Sequence, residues 1–136
     1  MKYHSIIILL LVCFIAGCGS KEVGVQGTVV YSDDGSPVAG GVVIFSTPTF
    51  QASGGLNAQG RFTISGNTIG LPPGTYKVAV SGPTEDLDES GLSTYELVDP
   101  KFSSISTSGI EITVDKNTKN LDIKVDRNPA PRPNGK

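Results

Sequence analysis

Between Ile110 and Val125 the chain reads IEITVDKNTKNLDIKV, and apolar side chains recur at every second position on both sides of a polar break. Ile110, Ile112 and Val114 alternate with Glu111, Thr113 and Asp115, and Leu121, Ile123 and Val125 alternate with Asp122, Lys124 and Asp126. An extended chain sends successive side chains to opposite faces, so a segment with this period buries its apolar half only as a strand. With Asn117 to Asn120 as a polar turn, the two runs read as a β-hairpin, the clearest in the sequence.

The same grammar recurs upstream. Val23, Val25, Gly27, Val29 and Tyr31 share one side of a first strand, with Gln26 and Thr28 on the other, and SDDGSPVAGG then breaks it with Asp-Gly and Pro37. VVIFST, Val42 to Thr47, is nearly continuous in apolar residues, which predicts a central strand. A turn at Asn57 to Gly60 precedes a strand with Phe62 and Ile64 inward. Pro73-Gly74 precedes another with Tyr76, Val78 and Val80 inward. Seventeen glycines and nine prolines supply the turns, and no helical period appears after residue 20. The expectation is an all-β, seven-stranded Greek-key β-sandwich, transthyretin-like or immunoglobulin-like, over residues 23–126. Its one long interruption is Gly82 to Ser108, acidic at first, then carrying Tyr95, Leu97, Val98 and Phe102 to pin it over the sandwich edge. RNPAPRPNGK, residues 127–136, reads as a proline-rich, flexible tail that cannot pair in a sheet.

Residues 1–17 stand apart from this pattern. Lys2 is followed by an unbroken apolar run, Ile6 to Ala16, too short for the roughly 20 residues that span a bilayer, which predicts an export signal. The run ends in IAGC, Ile15 to Cys18, which resembles the lipobox of bacterial lipoproteins. That resemblance implies cleavage before Cys18 and a diacylglycerol on its sulfur, with a further acyl chain, such as palmitate, on the new N-terminus. Several acyl chains hold a protein to a membrane durably where one does not. Residues 18–22 then form the lipidated N-terminus and a short linker. Cys13 leaves with the signal, so the exported chain carries no disulfide. Gly19, rather than Asp, favours the outer over the inner membrane of the bacterial envelope.

VQGTVVYSDDGSPVAGGVVIFSTP, LNAQGRFTI, LPPGTYKVAVSG and VDPKFSSISTSGIEITVDKNTKNLDIKV, in that order, resemble the carboxypeptidase regulatory-like, or transthyretin-like, domains of small bacterial lipoproteins. The resemblance implies a seven-stranded sandwich with no catalysis of its own, acting at the cell envelope through structural or protein contacts.

Side-chain chemistry agrees with a non-enzymatic reading. The single histidine, His4, lies in the export signal, so the usual His-Glu zinc site and the common nucleophile-base pairs have no donor in the exported chain. A net charge of -2 with scattered lysines excludes the basic stripe that nucleic acid requires. The sharpest local pattern is DLDESGLSTYEL. Asp86, Asp88 and Ser90 at alternate positions before Gly91 resemble the opening of a calcium loop, but Glu96 falls at the eleventh place and Leu97 at the twelfth. A solvated acidic loop is the favoured reading, and calcium or envelope polysaccharide bound through residues 83–108 the alternative. Tyr76, just after a turn glycine, resembles the tyrosine corner of Greek-key sandwiches. Tyr95, Phe50 and Phe102 are the rings expected to be exposed, with Tyr95 and Phe102 marking an interaction loop.

Overall fold

The computed structural model describes residues 24–64, 70–116, 118 and 120–133. The export signal, Cys18 and Val23 lie outside the described residues. The alternation of Val25, Val29 and Tyr31, all buried, becomes β1 (Val25–Tyr31), the middle of a three-stranded sheet. β4 (Arg61–Ile64) pairs antiparallel on one side and β9 (Asn120–Val125) parallel on the other. Gly27 sits in the middle row, opposite Phe62 and Leu121. A Cβ there would lie 2.4 Å from the Leu121 carbonyl oxygen and 2.8 Å from the Phe62 ring. Only glycine fits a strand packed so closely from both sides.

The second sheet runs β3 (Gln51–Gly55), β2 (Val42–Ser46), β5 (Gly74–Ser81), β8 (Ile110–Val114), with all neighbours antiparallel. The near-continuous apolar run is the inner strand β2, as its composition predicts. The two sheets close over one core. Phe45 of β2 meets Phe62 of β4 at 6.0 Å between ring centroids, and Tyr76 of β5 meets Phe45 edge-on at 6.1 Å. Val25, Val29, Val43, Val78, Val80, Val114 and Val125 fill the space around them. Tyr76 is 1% exposed and donates its hydroxyl to the Pro72 carbonyl at 2.6 Å. That is the tyrosine corner its position announces.

The predicted C-terminal hairpin does not form. β8 pairs with β5 in one sheet and β9 with β1 in the other, so the two strands belong to different sheets. Both strands turn their apolar halves to the same core, so their alternation looks the same whether they pair with each other or face each other. A further two-stranded ribbon, β6 (Thr84–Asp86) and β7 (Thr94–Glu96), rises from the long interruption. The described residues thus hold nine strands where the sequence predicts seven. Seven lie in the two main sheets and two in the ribbon.

Candidate functional site

Parallel pairing of the first and last strands gives the body two distinct ends. The chain comes in at Gly24, beside the Gln26–Asn120 pair, and leaves at Val125, opposite Tyr31. Six residue steps separate Val25 from Tyr31 along β1, about 20 Å of strand. The ribbon and the C-terminal segment both sit at the exit end.

At that end the segment after β9 bonds to the chain before the 3-10 turn. Arg127 forms a bridge with Val98, the Asn128 amide donates to the Leu97 carbonyl at 2.9 Å, and the Asp99 amide donates to the Asp126 carbonyl at 2.9 Å. The Asn128 side-chain amide donates to the Glu96 carbonyl at 2.8 Å. Proline cannot donate to a ladder, but the residues before Pro129 can, and they complete it. The Arg127 guanidinium lies 3.8 Å from the Tyr31 ring centroid, donates to Asp33 at 2.9 Å and to Asp34 at 3.0 Å, and reaches the Ser36 hydroxyl. Asp34 is pulled down to about 2, chiefly by the hydrogen bonds of the Ser36 hydroxyl and amide, with Arg127 adding to them. Beside this cluster Lys101 donates to Asp126 at 2.8 Å, and that bond holds the Asp126 carboxyl below its ordinary range, with Ser32 assisting.

Tyr95, half-buried on β7, donates its hydroxyl to the Ala130 carbonyl at 2.6 Å. The Arg132 guanidinium sits 5.7 Å from its ring and 3.2 Å from Glu85. Tyr95 is therefore spent on the chain's own C-terminal segment. Phe102 does not offer a ring to solvent: it is 6% exposed, carried into the core by the 3-10 turn Pro100–Ser103, which Asp99 caps through the Lys101 amide. Phe50 packs edge-on against Tyr76 at 6.4 Å.

The calcium-like pattern is dispersed. Asp86 and Glu96 stand on opposite ribbon strands, with Asp86 facing Thr94 and Glu96 facing Thr84. At the tip, Asp88 accepts from both the amide and the hydroxyl of Ser90, a local turn that lowers its pKa. Among the described residues no group of three or more His, Cys, Asp or Glu is placed to hold a metal ion.

A second feature lies nearer Gly24 and has no sequence motif. On the outer face of the three-stranded sheet, Thr63, Gln26 and Asn120 form one polar row, and Arg61, Thr28 and Asp122 the next. Between them the Phe62, Gly27 and Leu121 row floors an open concavity of about 690 Å³, walled on the β4 side by Gly55 and Asn57. Gln26 donates to Asn120 at 3.0 Å; Arg61 and Asp122, the charges at its two sides, are in no ion pair among the described residues.

No family model and no curated protein matches the sequence. Among solved structures, the chain is similar to BcpA, the major pilin subunit of Bacillus cereus, in two crystal structures. They share 13% and 12% identity with it at TM-scores of 0.50, over 79% and 81% of this chain but 30% and 31% of the pilin. It is also similar to a DUF3823 family protein from Bacteroides ovatus, at 22% identity and a TM-score of 0.46, over 77% of this chain and 44% of that one. The chain thus spans less than half the length of each of these structures. At such identities the pilin likeness shows a shared β-sandwich fold.

Proposed function

We propose that this is a lipid-anchored, non-catalytic β-sandwich of the bacterial envelope, tethered at Cys18 and acting through contacts made by its far end. The observation that carries the reading is the parallel pairing of β1 with β9. It puts the point where the body meets its N-terminal linker about 20 Å from the ribbon and the docked C-terminal segment. A tether at Cys18 would leave that end turned outward. Further support comes from the IAGC sequence and from the four segments that resemble carboxypeptidase regulatory-like domains. The core side chains are committed to packing, and Ser108, one of two buried polar residues described, is bonded to the Val78 carbonyl.

Mass spectrometry of the native N-terminal peptide tests the anchor. The expected species begins at Cys18 with diacylglycerol on sulfur, and Cys18→Ser moves the protein from the membrane to the soluble fraction. An N-terminal peptide without acyl groups removes this reading.

The polysaccharide alternative is favoured by one observation, the polar concavity of the three-stranded sheet, rather than by the 83–108 loop. Amide, hydroxyl, guanidinium and carboxylate groups set in two rows can donate to and accept from sugar hydroxyls. Sedimentation with isolated peptidoglycan is the measurement, and retention that Arg61→Ser abolishes is the expected result if this reading holds.

A further inference from the structure

At the exit end one stretch of the chain docks on the surface of another. From Asn128 to Pro133 the sequence alternates a residue with proline: Asn-Pro-Ala-Pro-Arg-Pro. Each proline fixes its own φ near -65° and pushes the residue before it out of the helical region, so the segment is extended by covalent sterics alone. Such a segment loses little further freedom on docking, which is why extended proline-rich peptides are common ligands of aromatic clefts.

Its docking here has that form. Two arginines five residues apart each meet one tyrosine and acidic partners: Arg127 on Tyr31 with Asp33 and Asp34, Arg132 on Tyr95 with Glu85. Between them, backbone carbonyls of the segment accept from the Tyr95 hydroxyl. Planar guanidinium groups held over rings and paired with carboxylates give orientation as well as attraction. The recognising groups are thus two rings and three carboxylates, and the recognised ones are two guanidinium groups and an extended backbone. Little of the occupant is buried: Arg127 and Arg132 keep 45% and 57% of their side-chain surface exposed, so the segment can leave without unfolding the sandwich.

We propose that the Tyr31–Asp33–Asp34–Glu85–Tyr95 surface recognises an extended, proline-rich segment with two arginines on another envelope protein, and that residues 127–132 cover it in cis. This rests on the protein-contact part of the function above and not on the lipid. Its assay therefore uses the exported chain in solution with Cys18→Ser, and its failure leaves the anchor untouched.

The probe is the synthetic peptide Arg-Asn-Pro-Ala-Pro-Arg-Pro-Asn-Gly-Lys, labelled at its C-terminus. The receptor is the exported chain with Arg127→Ser and Arg132→Ser, compared with the chain carrying native arginines. A tethered segment competes at high effective concentration, so the double variant is expected to bind the peptide at least about tenfold more tightly than the native chain. A peptide with both arginines replaced by serine is expected not to bind, and added salt is expected to weaken the native peptide. A double variant that keeps its thermal unfolding transition and shows no gain over the native chain overturns the proposal. If the variant does not fold, NMR titration of the native chain with millimolar peptide decides instead. Shifts confined to Ser36, Glu85, Tyr95 and Leu97 support the proposed surface, and their absence refutes it. Self-association of the native chain that the free peptide dissolves would make the occupant a second copy and overturn the foreign partner.

Discussion

The sandwich and its exit end are held together by different physics. Within the sandwich, Val43, Phe45, Val78 and Val80 are fully buried and interlock with Phe62 from the facing sheet, so stability comes from apolar area removed from water. At the exit end the ribbon and the 127–132 segment meet through ion pairs, arginine-ring contacts and a few backbone bonds, with most participants half in solvent. Area burial does not depend on charge screening or on protonation, whereas charge pairing in water is sensitive to both. One chain therefore carries a part that should behave as a rigid body and a part that conditions can loosen.

The largest effect belongs to the core. Phe45→Ala removes a ring that touches both sheets, and a cavity of that kind costs about 3–5 kcal/mol. Chemical denaturation should show this as a large fall in midpoint with the slope kept, the ribbon unfolding along with the sheets. A midpoint within the scatter of the native protein would mean that the core is not what holds the molecule. Tyr76→Phe is smaller. It leaves packing intact but deletes the hydroxyl bond to the Pro72 carbonyl, for an expected loss of about 1 kcal/mol in the same measurement.

Tyr76 is legible in the sequence because burial writes itself there as a period, whereas the near-continuous run around Phe45 marks only an inner strand. Phe62, Ile64, Val78 and Val80 all point where alternation places them. Partnership is less legible: β8 and β9 show the same alternation in separate sheets as they would in a hairpin. β3 was invisible for a steric reason. Its inward positions are Ala52 and Gly54, and a Cβ on Gly54 would lie 2.7 Å from the Thr63 carbonyl oxygen, so the strand is kept small where the sheets meet at a corner. No apolar period survives there. The exit end is not legible because proline after Asn128 argues against a strand, while the partners that dock the segment, Tyr95, Glu96, Asp33, Asp34 and Glu85, are distant from it in sequence. The concavity was missed because its rows run across three strands, and each strand contributes only two outward polar residues.

Arg127→Ala should separate the two regions. It strips Tyr31, Asp33 and Asp34 of their common partner, yet removes no core volume. Hydrogen exchange is expected to accelerate at Leu97, Asp99 and Asn128, while amides of β2 and β5 keep their protection. Raising the salt concentration of the native protein should reproduce part of the effect. Equal acceleration in β2 would show that the exit end and the sandwich open as one unit, and the distinction drawn between them would fail.

Acid gives the smallest and most selective perturbation. Asp34 titrates at about 2 in the folded chain against an ordinary 3.8, and Asp126 and Asp88 are shifted the same way by Lys101 and by Ser90 respectively. A carboxyl whose folded pKa lies below its unfolded one contributes stability that is complete above about pH 4 and is lost as pH falls toward 2. Lys101 has the opposite sign: its pKa is raised by the bond to Asp126, so deprotonating Lys101 removes that bond from the alkaline side, just as protonating Asp126 removes it from the acid side. Between pH 4 and 2, then, protection factors at Leu97, Asp99 and Asn128 should fall while those of Val43 and Val78 hold. Of these three carboxyls Asp34 grips Arg127 of the segment, Asp126 bonds to Lys101 and Ser32, and Asp88 shapes the ribbon tip. Asp34→Asn should therefore flatten the response at Asn128 more than Asp88→Asn does, because Asp34 reaches Arg127 directly whereas Asp88 bonds to its own turn.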